Sequence, residues 1–322
     1  MSLELIRSPV QADLTATDKF ICSELSSDVP FINQLVDYIL TCGGKRIRPL
    51  IVLLTARALE HQGQQHIDLA AAIELIHTAT LLHDDVVDSS ALRRGNQTAN
   101  HIWGNESSVL VGDFLYSRAF QLIVKLQNLE IMTIFSNATN LIAEGEVSQL
   151  INRHNPDTTE QLYYNIIQRK TAKLFEVASQ IGAALCHYHP NQMAAMQKYG
   201  LSLGTAYQLI DDAMDYCSSA NEMGKNRGDD LAEGKPTLPL IHALRLGKPA
   251  EVKLIRKAIK TGSTKNLDSI LAIIESTRAI EYTANAAKLH AEEAMESLTQ
   301  IPESPYRKSL QDLAEFVVAR NY

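Results

Sequence analysis

The sequence has few of the residues that interrupt helices. Its 322 residues include only 15 glycines and 10 prolines, while 45% are hydrophobic. Long helices are therefore possible, and a chain of this length can bury a large core. The four cysteines, Cys22, Cys42, Cys186 and Cys217, form no CxxC pair. We therefore expect reduced thiols and a cytoplasmic protein.

Other absences exclude whole classes of function. The formal net charge is −7, so no nucleic-acid-binding surface is expected. The most apolar runs, such as residues 50–54, are too short to span a bilayer, so no integral membrane segment is predicted. The N-terminus has no basic region followed by an apolar one, so no signal peptide is predicted. Because apolar residues recur with helical spacing and no alternating strand pattern appears, the predicted fold class is all-α.

Two acidic motifs of the form DDxxD dominate the polar pattern. The first spans Asp84 to Asp88 and the second spans Asp211 to Asp215, and each ends an apolar helical run. Asp84 and Asp88 lie about 40° apart around a helix axis and Asp85 about 60° from Asp88, so the three carboxylates share a face. Like charges at this spacing destabilise a helix unless a cation lies over them.

A solvated acidic helix end is the alternative explanation of either motif alone. Lys or Arg could also supply the cation, but a hard divalent metal suits converging carboxylates better. Two copies with the same spacing favour a pair of metal-binding platforms. The candidate metal ligands are Asp84, Asp85, Asp88, Asp211, Asp212 and Asp215.

Basic residues begin the helix that follows Gly43-Gly44. Lys45 and Arg48 would lie near each other at this helix start, where free backbone N–H groups also favour an anion. This pattern indicates a phosphate or diphosphate site, and a basic helix start on the surface is the alternative. His77 projects within about 20° of Asp84. That position suits a diphosphate donor as well as a buried core histidine.

Further cations lie close to the acidic motifs. Arg93 and Arg94 follow the first motif, and a planar guanidinium can bind phosphate through two hydrogen bonds. Salt bridges to the aspartates are the alternative. Lys170 lies in an apolar helical pattern, where an unpaired lysine is rare, so it is expected to face a carboxylate or an anionic ligand. The charged, glycine-containing loop 218–236 is typical of an active-site lid.

These features together indicate chemistry on isoprenoid diphosphates. Divalent metals held by carboxylates would neutralise a departing pyrophosphate. An apolar cavity below them would protect the resulting carbocation from water.

Six segments carry a resemblance to a known family: GGKRIRP (43–49), LLHDDVVD (81–88), LRRG (92–95), KT (170–171), YQLIDDAMDY (207–216) and GKNRGDDLAEGKPTLPL (224–240). In order and separation they resemble the trans-polyprenyl diphosphate synthases over nearly the whole chain. Within the family, the segments resemble the bacterial branch that makes octaprenyl diphosphate for the ubiquinone side chain. The resemblance implies an isoprenoid-synthase-type bundle of long antiparallel helices around a central cavity. It also implies a single domain over residues 1–322, with the first twenty or so as a candidate peripheral segment, and a homodimer.

The resemblance also implies roles for individual residues. Isopentenyl diphosphate would bind Lys45, Arg48, His77 and Arg94. The allylic diphosphate, farnesyl diphosphate in particular, would bind Arg93, Lys170, Thr171, Gln208, Lys225 and Lys235. Two or three Mg²⁺ ions would be held mainly by Asp84, Asp88 and Asp211, with support from Asp85, Asp212 and Asp215. The residues expected to be catalytic are Asp84, Asp85, Asp88, Arg93, Lys170, Asp211 and Asp212.

The implied reaction is ionisation of the allylic diphosphate, attack by the isopentenyl double bond and loss of a proton to the released pyrophosphate. Product length is expected to depend on the cavity floor. Short-chain members of the family carry an aromatic residue just before the first acidic motif, where this chain has the small Ala79 and Thr80. The tunnel should therefore continue downward, with Phe135 as its candidate plug and Ile123 as a candidate wall.

Two other functions compete with this interpretation. A terpene cyclase would need an acidic motif and one diphosphate site, but not the second-substrate site that Lys45 and Arg48 would form. A non-catalytic subunit of a heteromeric synthase typically loses one acidic motif, whereas both are complete in this chain.

Overall fold

The computed structural model describes residues 2–41, 43–93, 95–186, 188–217 and 227–319. The predicted all-α class is confirmed, because helices form nearly all of the regular structure in these ranges. The exception is a small antiparallel hairpin of two-residue strands, β1 (Leu92–Arg93) and β2 (Asn96–Gln97). No helix within the described ranges is both long enough and apolar enough to cross a membrane.

The helices run in chain order from the N-terminus. The first group is α1 (Leu3–Arg7), a 3₁₀ turn (Ser8–Val10), α2 (Gln11–Glu24), α3 (Pro30–Thr41), α4 (Ile47–Ala58), α5 (Gln65–Val87), α6 (Ala99–Trp103), α7 (Asn105–Lys125) and α8 (Leu129–Asn152). The second is α9 (Glu160–Ile167), a π-helical segment (Gln168–Ala172), α10 (Lys173–Ala184), α11 (Pro190–Cys217), α12 (Asp229–Ala232), α13 (Leu238–Leu246), α14 (Pro249–Thr261), α15 (Leu267–Ser276), α16 (Ala279–Ser297), a 3₁₀ turn (Leu298–Gln300) and α17 (Pro305–Val318).

Side-chain caps define where several helices begin. Asn128 accepts a hydrogen bond from the N–H of Ile131 at 3.1 Å and starts α8. Thr159 accepts one from the N–H of Leu162 at 3.2 Å and starts α9. Each cap satisfies an N–H group that the helix itself leaves without a partner.

The main hydrophobic core surrounds α4 and α5. Helix α5 is buried on most of its circumference, which its alanine-rich sequence permits because neighbouring helices can approach closely. The N-terminal segment also belongs to this core, with Ile6, Val10 and Leu14 all buried in it. These three side chains anchor the described part of the N-terminal segment to the bundle. A smaller core joins α12 to α15.

Two glycines bring α11 close to the helix that carries Lys170. A Cβ atom at Gly204 would lie 2.6 Å from the Cα of Ala172, and one at Gly200 would lie 2.6 Å from the Cα of Glu176. No side chain fits at such distances. The close approach places the second acidic motif, at the end of α11, beside the π-helical segment.

Candidate active site

A cavity of about 850 Å³ opens between the C-terminal ends of α5, α8 and α11 and the π-helical segment. This volume lies in the upper part of the range for small-molecule sites. Charged side chains gather at its mouth. Leu81, Ile142 and Leu174 also line it, each about one helical turn deeper than a charged residue on the same helix.

The first acidic motif presents two of its three carboxylates to this cavity. Asp84 and Asp88 line it, but Asp85 does not. Asp85 is buried about 100° around the helix from Asp84, where Nε and Nη2 of Arg93 lie 2.8 and 2.7 Å from its Oδ1. The structure therefore turns Asp85 toward the β-hairpin, contrary to the expectation that all three carboxylates share one face.

Asp84 belongs to a charge network that reaches α8. Lys170 Nζ lies 3.4 Å from Asp84 Oδ2, and it donates to Glu146 at 2.6 Å and to Gln149 at 2.9 Å. Burial raises the pKa of Glu146 to about 7, because the opposing effect of Lys170 is smaller and the charge of Asp84 adds to the rise. Lys170 thus has two acidic partners, as its apolar sequence context predicts.

Asp88 lies between two cations from distant parts of the chain. Lys235 Nζ is 2.9 Å from its Oδ2, and Arg153 donates to its Oδ1. Lys235 also pairs with Glu233. These contacts tie the end of α5 to the end of α8 and to the segment that follows α12.

In the second acidic motif, Asp211, Asp212 and Asp215 all line the cavity. Asp212 is buried and both of its oxygens accept hydrogen bonds. The hydroxyl of Tyr163 donates to Oδ2 at 2.5 Å, and Nε2 of Gln208 donates to Oδ1 at 2.6 Å. Its position on the helix is therefore held from two sides.

Asp230 faces this motif from the start of α12. Its backbone N–H donates to Asp215 Oδ2 at 3.3 Å. Burial raises the pKa of Asp212 well above its ordinary value and that of Asp215 to about 9, and the charge of Asp230 raises both further. A bound divalent cation would reverse this effect, because a positive charge favours the ionised carboxylates.

The carboxylates of the cavity suit Mg²⁺ that is coordinated partly by protein and partly by water and substrate phosphates. Among the described residues, no three acidic, histidine or cysteine side chains converge closely enough to hold a metal ion by themselves. Mg²⁺ usually retains waters and binds one or two carboxylates together with substrate phosphates. Oxygen ligands from Asp84, Asp88 and Asp211 at the rim of a cation-lined cavity match that arrangement.

The basic side chains at the start of α4 point in two directions, and two of them face the cavity. Lys45 and Arg48 line the cavity together with His77. Nη1 of Arg48 lies 3.0 Å from Nε2 of His77, and its guanidinium lies 4.4 Å from the ring centroid of Phe175. A guanidinium stacked on an aromatic ring and bonded to a neighbouring side chain is held in one orientation.

Arg46 points away from that group. It adopts a positive φ of 45°, which is uncommon for a residue other than glycine, and its Nη1 lies 2.6 Å from Oε1 of the buried Glu74. The backbone turn at Arg46 separates its side chain from those of Lys45 and Arg48. Two cations of this segment therefore remain directed at the cavity.

Most of the other residues predicted to bind substrate lie at one cavity. Arg93, Lys170, Thr171, Gln208 and Lys235 all line the same cavity. Arg94 and Lys225 lie outside the described residues. The described cations therefore border the same cavity as the two acidic motifs.

Several site residues were missed by sequence reasoning: Glu146, Gln149, Arg153, Tyr163 and Asp230. Glu146 and Gln149 lie one turn apart on α8, and Tyr163 precedes Lys170 by seven residues, or about two helical turns. Those helical spacings could have indicated that each of these residues shares a helix face with another residue of the site. Arg153 follows the end of α8 and Asp230 lies in the charged loop, where no periodic pattern distinguishes them.

Comparison with known proteins agrees with this geometry. Residues 29–276 match the family described as polyprenyl synthetase. The chain belongs to the polyprenyl synthetase family. An octaprenyl diphosphate synthase of Haemophilus influenzae is 49% identical, covering 100% of this chain and 98% of that protein. An all-trans-nonaprenyl-diphosphate synthase (geranyl-diphosphate specific) of Rhodobacter capsulatus is 45% identical, covering 98% of this chain and 97% of that protein.

Among solved structures, a polyprenyl synthase of Caulobacter crescentus CB15, complexed with calcium and isoprenyl diphosphate, has a TM-score of 0.96. It is 40% identical, and the alignment covers 99% of this chain and 98% of that one. The predicted family and the isoprenoid-synthase-type helix bundle are confirmed for this polyprenyl synthetase.

The four residues proposed to control product length lie at different depths in this polyprenyl synthetase. Thr80 lines the cavity. Ala79, Ile123 and Phe135 are buried in the main core and are not among its lining residues. The cavity therefore ends above Phe135 in this structure.

The contact between Arg93 and Asp85 generates a prediction about stability. Arg93→Met removes a partner of a buried carboxylate and is expected to lower the free energy of unfolding by about 3 kcal/mol. Arg169→Met is the matched control, because Arg169 pairs with Glu144 at 3.0 Å while both side chains are about half exposed. That change is expected to cost less than about 1 kcal/mol. Urea unfolding of both variants measures the difference, and equal losses would contradict the argument.

Proposed function

We propose that this chain is a trans-prenyltransferase that condenses isopentenyl diphosphate onto an allylic primer, with farnesyl diphosphate as the expected primer. The product would be a long-chain all-trans polyprenyl diphosphate, octaprenyl diphosphate (C40), for the ubiquinone side chain. The observation that carries this proposal is a single cavity lined by both acidic motifs, by two groups of cations and by apolar side chains below them. The full-length similarity to an octaprenyl diphosphate synthase supports the eight-unit product.

Two groups of cations suit two diphosphates. Lys45 lies two residues before α4, Arg48 lies in the first turn of α4 and His77 lies on α5, and the three would hold isopentenyl diphosphate. Lys170 and Lys235 lie beside the aspartates of the first motif and would hold the allylic diphosphate with Arg93, Thr171 and Gln208. A terpene cyclase binds one diphosphate and would not need the first group. A non-catalytic subunit would not need two complete acidic motifs.

The aspartates would release their lysine partners when substrate binds. Asp84, Asp88 and Asp211 would then hold two or three Mg²⁺ ions against the diphosphate, and these ions would neutralise the charge of the leaving pyrophosphate. Lys170 and Lys235, freed from the carboxylates, would donate to the same phosphate oxygens. Leu81, Ile142 and Leu174 exclude water from the carbocation, and the released pyrophosphate would accept the proton.

The cellular compartment is part of the same proposal. The described cysteines, Cys22, Cys186 and Cys217, are free thiols. Free thiols suit a reducing compartment, which supports the cytoplasm.

One assay tests the proposed reaction. Purified protein is incubated with farnesyl diphosphate, labelled isopentenyl diphosphate and Mg²⁺, and the products are separated by chromatography. Chain elongation is expected. Cyclised hydrocarbon formed without isopentenyl diphosphate would indicate a cyclase, and no product at all would indicate a subunit. Asp84→Asn should abolish elongation, which excludes a contaminating enzyme as its source.

The floor of the cavity supports a role for Phe135 in product length. Ile142 lines the cavity on α8, and Ala138 and Phe135 follow it on the same face, four and seven residues toward the N-terminus. Phe135 therefore lies about 10 Å below Ile142 along the helix. It is fully buried, so a growing chain that advances along this face meets its ring.

Phe135→Ala is expected to lengthen the products, because removal of the ring opens space below the cavity. Radiolabelled product chromatography measures the length. Phe316→Ala, on α17, removes the same side chain from a partly buried position packed against the core and should leave the length unchanged. If Phe135→Ala gives products of wild-type length, Phe135 is not the plug.

We also propose a homodimer formed through α7 and α8. Both helices carry large apolar side chains on their outer faces: Leu110 and Val124 on α7, and Val147 and Ile151 on α8, each more than half exposed. Leu110 and Val147 both lie near the mouth end of their helices. An apolar surface of this kind is typical of a contact between identical subunits.

Val147→Glu is expected to dissociate the dimer, because a symmetric contact would bury the charge twice. Sedimentation should give the wild-type protein twice the 35.7-kDa mass of the chain and the variant the mass of one chain. Leu289→Glu, at an equally exposed position on α16, is the control and should remain dimeric. A dimeric Val147→Glu variant would exclude this face.

A further inference from the structure

The buried hydrogen bond between Tyr163 and Asp212 has no part in the reaction as described above. Tyr163 is 4% exposed and lies on α9, while Asp212 lies on α11, 49 residues later in the chain. Their oxygens are 2.5 Å apart, the distance of a strong hydrogen bond between a hydroxyl and a carboxylate. Both residues line the cavity. The contact therefore joins two walls of the site.

The geometry at Asp212 leaves room for a ligand. Each carboxylate oxygen can accept two hydrogen bonds. Tyr163 occupies one position on Oδ2, and Gln208 occupies one position on Oδ1. Among the described residues, no other side chain donates to this carboxylate, which borders the cavity. Two donors from fixed helices thus determine the plane in which Asp212 presents its oxygens.

The helix that carries Tyr163 reaches both acidic motifs. Tyr163 contacts Asp212 of the second motif, and Lys170, seven residues later, contacts Asp84 of the first. The π-helical segment Gln168–Ala172 lies between α9 and α10. A π-helical turn adds a residue to the helical period and changes the direction of the side chains that follow it, and such turns are frequent at functional sites. One continuous helical run thereby sets the positions of carboxylates from both motifs.

From these observations we propose that Tyr163 is a positioning residue, which acts through Asp212 to orient the second acidic motif for Mg²⁺ and diphosphate. This inference rests on the proposed function. Metal-binding carboxylates are commonly oriented by an outer group of hydrogen-bond donors, and loss of one such donor typically lowers metal affinity roughly 10- to 100-fold. A tyrosine that only filled the core would affect stability and not metal binding.

The test compares Tyr163→Phe with Tyr164→Phe. Both changes remove one hydroxyl and keep the ring, and the two rings are neighbours with centroids 5.6 Å apart. The main readout is the rise in unfolding temperature caused by Mg²⁺ together with inorganic pyrophosphate, with each variant measured against its own metal-free protein. Tyr163→Phe is expected to need at least about tenfold more Mg²⁺ for half of the full rise. Tyr164→Phe should match the wild type.

Steady-state kinetics provide the second readout. Tyr163→Phe should raise the half-saturating Mg²⁺ concentration by a similar factor and leave the KM for isopentenyl diphosphate unchanged. Because Tyr163 is proposed to act through Asp212, adding Tyr163→Phe to Asp212→Asn should cause little further loss. Independent, additive effects of the two changes would overturn the proposal.

Two further outcomes separate this inference from the proposed function. A wild-type protein that is stabilised by Mg²⁺ and pyrophosphate but makes no product contradicts the proposed reaction alone, and the comparison of the variants remains decisive for Tyr163. An unchanged Mg²⁺ requirement in Tyr163→Phe, with normal elongation by the wild type, contradicts the positioning role alone.

Discussion

Largely buried carboxylates at the border of a cavity need positive charge nearby, and the structure of this site depends on that constraint. Asp84 has Lys170 as a partner, and Asp88 has Lys235. No lysine among the described residues contacts Asp212 or Asp215, and burial raises the pKa of both. A diphosphate that binds with Mg²⁺ would change both the lysine contacts and the raised pKa values. The metal would supply positive charge to the aspartates, and the phosphate oxygens would accept hydrogen bonds from the lysines. Binding would then be an exchange of ion pairs.

The proposed exchange would depend on the helical run from α9 through α10, which carries Lys170. Gly204 lets α11 approach the backbone of the π-helical segment, where a Cβ atom would lie 2.6 Å from the Cα of Ala172. Because the two helices are this close, Tyr163 reaches Asp212 of the second acidic motif. A residue with a side chain at position 204 would separate the helices and lengthen this contact. Packing in the core therefore determines the distance between charged groups at the mouth.

Sequence reasoning located the acidic motifs well because their geometry is local. The spacing of Asp84 and Asp88 on a helix places them on one face, whatever the rest of the chain does. The orientation of Asp85 depends on Arg93 in a hairpin that the helical pattern does not reveal. Arg153 was missed for a related reason, since its contact with Asp88 joins positions 65 residues apart. Spacing predicts which side chains share a helix face, but not which distant residue meets them.

The same helices carry both the chemistry and the proposed control of product length, at different depths. On α5, Asp84 lies at the mouth and Thr80 one turn below it. On α8, Glu146 lies at the mouth and Phe135 eleven residues below it, about 16 Å along the axis. A substitution at that depth can change the space for the product without moving the charged groups, because a packed helix transmits little displacement along its length. If Phe135 has the proposed role, this separation would account for relatives of similar identity whose names differ in the number of isoprene units, octaprenyl and nonaprenyl. At the mouth of the cavity, positive and negative side chains must remain paired. At the floor, the side chains need only leave space for the product.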